Sequence, residues 1–598
     1  MTENTSNPLN VGDIVLYSEK DLPYESQGAL RVVYEDQISF SLLRTWLADC
    51  EQGHGPNCCQ PKFSSSADQS KGILLVDVQA NCIIRGSLED RYLCLSYVWG
   101  GVEQLQLTQD NYTKLTATGG VTRHSNQIPR TIKDAIQLVS EMGESYLWVD
   151  SLCIVQDDIR EKQSQINQMA NIYDSAILTI VACSGSHANA PLPGVRKGTR
   201  GIKPISRQPG FAIAKTRQLG LIAALPQTHH HSRAWTYQEV ILSRRCLFFL
   251  DDQVYFQCQQ AGFKESLHSK TSHGTGENRL GNYPPLTADF PPAPIQYEEI
   301  LLNFSARNIT FASDRLNAFS GVAKALHLLR GWKFSYGLPA ELFDIGLLWT
   351  PGDPRAWPYP QYAAQGADAR FPSWSWLSYA GLVSHPVLHR STPISSLVDW
   401  GMATVWDGER SWNVQDGGEK MAGESGGGVD ALMEGKPPGL LVFMAWKVLF
   451  SADWVGRSTM LDEHLERKVA GRAERADDDA APTQICAPLT DKSGVWCGVL
   501  TGITHEDITT LLEEGNELEL VLLSAMNRNW SIKWITGTQH GPIKECFDET
   551  KLETGEWKTV NVMLVKRNER TSIRLAVGEI HIVSWKESDP EPDLIWLV

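Results

Sequence analysis

A chain of 598 residues is too long for a single hydrophobic core, so two or three domains are expected. With 42% hydrophobic and 21% charged residues it reads as an ordinary globular protein. Its formal net charge of −16 argues against a nucleic-acid backbone as main partner, since phosphate binding relies on clustered Lys and Arg.

The polar start, Met1 to Asn10, lacks the charged-then-apolar pattern of a secretory signal, and a cytoplasmic chain is expected. Cys50-x-x-x-His54-x-x-x-Cys58-Cys59 offers ligand types that suit zinc, but its spacing is unusual and no second half of a site is evident; no metal is assigned. The 12 cysteines are otherwise scattered, as suits reduced buried thiols. Tyr92 to Gly100 is an apolar run of strand length that breaks into Ser96, Trp99, Gly100 and Gly101. Thr131 to Met142 has a helical stripe of Ile132, Ala135, Ile136, Val139 and Met142, between Pro129 and Gly143. A strand from Tyr146 to Val149 ends in Asp150, Ser151, Leu152, Cys153 and Ile154. The acidic pair Asp157 and Asp158 resembles the first turn of a helix, whose apolar face holds Ile166, Met169, Ala170 and Tyr173. Ala176 to Ala182 is apolar almost throughout, as in an interior parallel strand. Strand, helix, strand, helix, strand builds an α/β layer sheet.

Pro191 to Ser232 and Lys264 to Pro294 read as long surface insertions, with His229, His230 and His231 expected at the surface. Arg233 to Glu239 is the third tryptophan-bearing segment, and Arg244 and Arg245 read as a solvated turn more readily than as a local basic patch. Glu298 to Leu329 has helical patterning, while Gly401 to Gly439 and Asp462 to Pro482 have linker composition. Leu440 to Phe450, the richest apolar stretch, contains Lys447 and falls short of the roughly 20 residues of a membrane span. Leu518 to Leu523, Val560 to Lys566 and Ile573 to Trp585 suggest a β-rich module.

Three blocks of this chain resemble those of the fungal heterokaryon incompatibility (HET) domain: Tyr92 to Gly100, Ile128 to Ile136 running into Trp148 to Ile154, and Arg233 to Glu239. Asp314 to Ala318, Gly337 to Pro339 and Phe371 to Trp376 resemble the region often attached to that domain. The resemblance implies an effector of fungal non-self recognition and regulated cell death, whose partners are other incompatibility or death-signalling proteins or copies of itself. The family is in turn similar to Toll/interleukin-receptor (TIR) domains, which carry a flavodoxin-like parallel sheet and in some members cleave NAD. The expected organisation is an amino-terminal segment (1–70), a TIR-like HET domain (71–263), a mostly helical HET-associated region (264–400) and a β-rich carboxyl-terminal module with mobile linkers (401–598). NAD is then a substrate rather than a resident cofactor.

Trp235 and Glu239 stand four apart, on one face of a helix, as do a tryptophan and the catalytic glutamate of NAD-cleaving TIR domains. Carried over, Glu239 is the catalytic candidate, with Tyr97, Trp99, Gly100, Asp150 and Trp235 forming the nucleotide pocket. A carboxylate beside the ribose stabilises an oxocarbenium-like state. Plainer readings stand beside these: Glu239 capping or salt-bridging its helix with Trp235 in the core, Asp150 capping the next turn or pairing with Arg233, the glycines making only a tight turn, Cys153 a packed thiol. Without Gly-x-Gly-x-x-Gly, a conventional dinucleotide loop is not expected. The rival function is a non-enzymatic module that self-assembles or binds a partner.

Overall fold

The computed structural model describes residues 14–18, 32–34, 36–63, 72–200, 206–208, 211–215, 221–251, 253–266, 286, 293–351, 371–385, 394–406, 411–416, 438–456, 486–526 and 546–598. The chain divides into two compact units, one of Met1–Thr287, Arg307–Ile309 and Asn317–Leu329, the other of Ala288–Ala306, Thr310–Leu316 and Arg330–Val598.

In the first unit the chain runs through β1 (Ile14–Ser18), β2 (Val32–Tyr34), α1 (Phe40–Gly53), α2 (Pro56–Cys59), β3 (Gly72–Asp77), β4 (Cys82–Ser87) and β5 (Tyr92–Ser96). It continues through α3 (Arg130–Glu141), β6 (Tyr146–Trp148), α4 (Asp150–Cys153), α5 (Ile159–Ser175), β7 (Leu178–Ala182), β8 (Ser206–Gln208) and β9 (Phe211–Lys215). Then come α6 (Ala234–Ile241), β10 (Arg245–Phe249), β11 (Val254–Cys258) and β12 (Gly262–Lys264). Eight strands form one sheet in the order β12-β11-β10-β7-β5-β6-β3-β4. The four central strands, β10, β7, β5 and β6, are parallel, and antiparallel strands extend the sheet on both sides. The sheet is therefore mixed, with the expected parallel layer at its centre. Every residue of β5, β7 and β10 is buried, which explains why their sequences show no polar alternation.

The flanking helices form for the reasons visible in sequence. Ile132, Ala135, Leu138 and Val139 bury one stripe of α3, and Asp158 caps α5 by accepting from the Arg160 and Glu161 backbone N–H groups. Trp148 meets Tyr173 of α5 edge-on with ring centres 5.6 Å apart. The stretch from Pro191 to Ser232, irregular by composition, supplies β8 and β9 to a second sheet of order β2-β1-β9-β8. Most of Lys264 to Pro294 lies outside the described residues.

The second unit begins with α7 (Ala293–Ser305) and is mainly β. Leu440–Phe450 pairs with both Glu591–Leu597 and Glu517–Met526. Thr559–Asn568 and Thr571–His581 link those two, so five strands close on themselves and leave fewer open edges. Lys447, the charge inside the most apolar stretch, binds Glu519 at 2.6 Å and Asp593 at 2.9 Å. Thr404–Trp406 and Ser411–Asn413 form a strand pair, so part of the stretch read as linker is ordered. The rest of it, and Asp462 to Pro482, lie outside the described residues. The Phe371 to Trp376 block is core: Trp374 and Trp376 are buried, their indole N–H groups donating to the Gly439 carbonyl and the Tyr297 hydroxyl. Among the described residues no helix is long and apolar enough to cross a membrane.

Candidate functional site

In chain order the four parallel strands are β5, β6, β7 and β10, and in space they run β6-β5-β7-β10. That is the 2-1-3-4 order of doubly wound, flavodoxin-like sheets, in which ligands bind beyond the carboxyl ends of the strands where the winding reverses. The reversal lies between β5 and β7, where Ser96 is paired in register with Val181. Ser96, the last residue of β5, is thus the residue nearest the expected site, and the turn beyond it carries Tyr97, Trp99 and Gly100.

Glu239 reaches the same point from α6. Its carboxylate accepts a hydrogen bond from the Ser96 hydroxyl, and Ser96 also bonds His230 Nε2 at 2.6 Å. The hydroxyl has one proton, which goes to the carboxylate, so the His230 Nε2–H donates to Ser96. His230 Nδ1 is then the unprotonated nitrogen, and it is buried with no partner among the described residues. The sequence of contacts is acid, serine, histidine. In a hydrolytic triad histidine stands between the other two, and the buried Ser96 lies in no position to act as a nucleophile.

Glu239 is 8% exposed. Burial pushes its carboxyl up to about 7 against the opposing hydrogen bond from Ser96; the neighbouring Asp150 raises it further and Arg233 lowers it. Burial also drives the His230 imidazole well below its ordinary value, helped by Arg307. Both groups are thus held toward their neutral forms by the interior, the imidazole more firmly than the carboxyl.

Asp150 follows β6, and its half-buried carboxylate accepts the Trp99 indole N–H at 2.8 Å and the Ser151 backbone N–H at 2.7 Å. Both the capping reading and a pocket role are therefore compatible with its position. Burial raises Asp150, while Trp99 and Ser151 hold it down. The buried Tyr97 donates its hydroxyl to Gln104 or Ser151. Trp235 is half-buried and packs against the main hydrophobic core. Gly100 has φ +66°, and an added Cβ would lie 2.4 Å from His187 Cβ, so a neighbouring loop occupies the space beside it. The structure thus brings Ser96, Trp99, Asp150 and Glu239 to one end of the parallel layer. A cavity of about 340 Å³ lies instead beside Leu74, Arg85, Tyr112 and Gln165.

Two expectations need correction. His230 is not at the surface but fully buried, because its ring completes the Ser96 contact; only His229 of the three histidines is exposed. Arg244 and Arg245 are not solvated. Both are buried, Arg244 donating to the carbonyls of Ser175, Ala176 and Cys59. Cys153 is the packed thiol expected, pushed up to about 12 by burial. Sequence reasoning missed His230 and Arg307. Arg307 donates to the His231 carbonyl and lies over the Tyr237 ring at 4.8 Å, bracing the start of α6. An Arg seventy residues downstream gives no local signal, but a histidine six residues before a helical Thr-x-x-Glu was available to be read.

Residues 92–239 match the family model for heterokaryon incompatibility protein (HET). No curated protein and no solved structure matches the chain. The match begins at Tyr92, the first residue of β5, and ends at Glu239, so Ser96, Trp99, Asp150, His230 and Glu239 all fall within it, while Arg307 lies outside.

Proposed function

We propose that this chain acts in heterokaryon-incompatibility-type non-self recognition and regulated cell death in the fungal cytoplasm, and that its HET domain cleaves NAD. The observation that carries the reading is the arrival of Glu239 at the end of β5, at the winding reversal, beside Asp150 and the indole of Trp99. In the reaction the bond between ribose C1′ and the nicotinamide nitrogen breaks, nicotinamide leaves with the electron pair, and water adds to C1′ and loses a proton. Ionised Glu239 would stabilise the positive ribose, Asp150 would accept ribose hydroxyls and Trp99 would stack on a base.

Glu239 is sealed by Ser96 and His230, so substrate entry requires that contact to open. Assembly with partners or with further copies of the chain is the event assigned to do this. Purified protein, alone and in an assembled state, should release nicotinamide from NAD when assembled, and Glu239→Gln should cut the rate by roughly 100-fold or more. No turnover in either state, or equal turnover by the variant, removes the enzymatic reading.

The burial of Glu239 equally favours a second reading, a non-enzymatic module signalling by contact alone. Overexpression toxicity would then survive Glu239→Gln and fail only when an interface anchor is changed.

A further inference from the structure

At the opposite end of the sheet from Ser96, four ligand-type side chains from distant parts of the chain meet. Cys50 lies on the last turn of α1 and His54, four residues on, caps that helix, so both project from one face. Gly55 turns the backbone with φ +58° into α2, which carries Cys58. Cys258 ends β11, two hundred residues later. The three sulfurs and the imidazole nitrogen lie within 4.8 Å of one another and all four residues are buried. His54 Nδ1 is 3.3 Å from Cys258 Sγ and 4.0 Å from Cys58 Sγ. Tetrahedral zinc with metal–sulfur bonds of about 2.3 Å places its ligand atoms roughly 3.5–3.8 Å apart, so little adjustment is needed.

We propose that Cys50, His54, Cys58 and Cys258 bind a structural zinc ion that ties α1 and α2 to the β11–β12 hairpin. The surroundings are those of thiolates. Cys258 Sγ accepts backbone N–H groups from Gln260 at 3.5 Å and Ala261 at 3.2 Å, contacts that orient a ligating sulfur and stabilise its negative charge. Arg245, 1% exposed, sends Nε to Cys50 Sγ at 3.1 Å, Nη2 to Cys59 Sγ at 3.8 Å and Nη1 to the Ile177 carbonyl. Those partners include no carboxylate. A buried guanidinium needs a counter-charge. Three thiolates and a neutral imidazole around a divalent ion leave one net negative charge, which Arg245 matches. A cluster of neutral thiols would leave that cation without an anionic hydrogen-bond partner among the described residues. All twelve cysteines are free, so disulfides do not supply an alternative closure.

Four protein ligands complete the coordination sphere, which assigns the ion a structural role with no open position for chemistry. Zinc is preferred over harder cations by sulfur and imidazole donors. Binding displaces the thiol protons and couples metal to folding.

The test is elemental analysis of the full-length protein purified under reducing conditions, together with titration of the chelator-stripped protein with cobalt(II). The expected result is about one zinc per chain and, with cobalt, the thiolate charge-transfer and tetrahedral ligand-field bands of a sulfur-rich site. Cys258→Ser should lose most of the zinc, Cys153→Ser should keep it, and zinc removal should lower the melting temperature. Should Cys258→Ser not fold, the wild-type metal content and cobalt spectrum still decide the matter. Metal-free protein that develops no thiolate bands with cobalt, a Cys50–Cys58 disulfide in the purified chain, or zinc retained in full by a folded Cys258→Ser would each overturn the proposal.

Discussion

Glu239 faces two demands that burial sets against each other. The interior disfavours its charge and lifts its titration to about 7, while Ser96 holds the ionised form in place. A carboxyl raised in the folded state contributes stability that is fully present below its unfolded value near 4.5 and is lost as pH climbs through the folded value near 7. A shift of that size corresponds to on the order of 3 kcal/mol. Glu239→Gln removes the titrating group at nearly constant shape. Chemical denaturation of both proteins at pH 5, 6, 7 and 8 should show the wild type losing stability relative to the variant across this window; parallel curves would mean that the carboxyl titrates as if in water. Asp150, also raised by burial and coupled to Glu239, will broaden the transition in both proteins. The same titration bears on activity. A reaction that needs the carboxylate speeds up as pH rises through 7, opposite in sign to the stability change.

The turn after β5 separates two roles that sequence left open for its glycines. Gly100 and Gly101 have φ +66° and +70°, so alanine at either position costs strain of about 1 kcal/mol. Only Gly100 has a filled space, with Ser186 O and His187 Cα each 2.5 Å from an added Cβ; nothing lies within 4 Å at Gly101. Gly100→Ala should therefore cost roughly 2–4 kcal/mol and displace the adjacent Trp99 from Asp150, against about 1 kcal/mol for Gly101→Ala. Urea unfolding followed by tryptophan fluorescence measures both, and equal costs would show that the 184–190 segment yields. Elements made of local contacts were the legible ones. Helix α3 starts and ends within a residue of the Thr131 to Met142 range read for it, and β6 and β7 fall inside the runs predicted for them. Legibility failed where partners are remote in sequence. Nothing near Cys50 and His54 announces Cys258, 204 residues past His54. Likewise, nothing in the histidine run says that His230 alone turns inward, because the Ser96 hydroxyl it meets is 134 residues away.

At the scale of the whole molecule, the matched family segment is not the folding unit that contains it. The match ends at Glu239, inside α6, yet the start of α6 is built against chain far downstream. Asn308 accepts from the Ala234 N–H at 2.9 Å and donates to the Ser232 carbonyl at 2.6 Å. Arg307 binds the His231 carbonyl, and Lys324, on the helix Asp314–Arg330, donates to Asn171 of α5 at 2.9 Å. Gly321 of that helix packs so closely on Gln238 that a Cβ there would meet its side-chain oxygen at 2.4 Å. The first unit thus takes back residues 307–309 and 317–329 after the chain has entered the second. A fragment ending at residue 287 loses the backbone partner, the cation and the helix that hold α6, and with them the placement of Glu239. Loss of such a buried network costs several kcal/mol, so the fragment should melt well below the corresponding transition of the full chain. Adding a synthetic peptide of residues 306–330 should raise its melting temperature with peptide concentration, because a ligand that binds only the folded state shifts the equilibrium by mass action. A fragment that melts with the full chain, or that ignores the peptide, would show that α6 is held by the sheet alone.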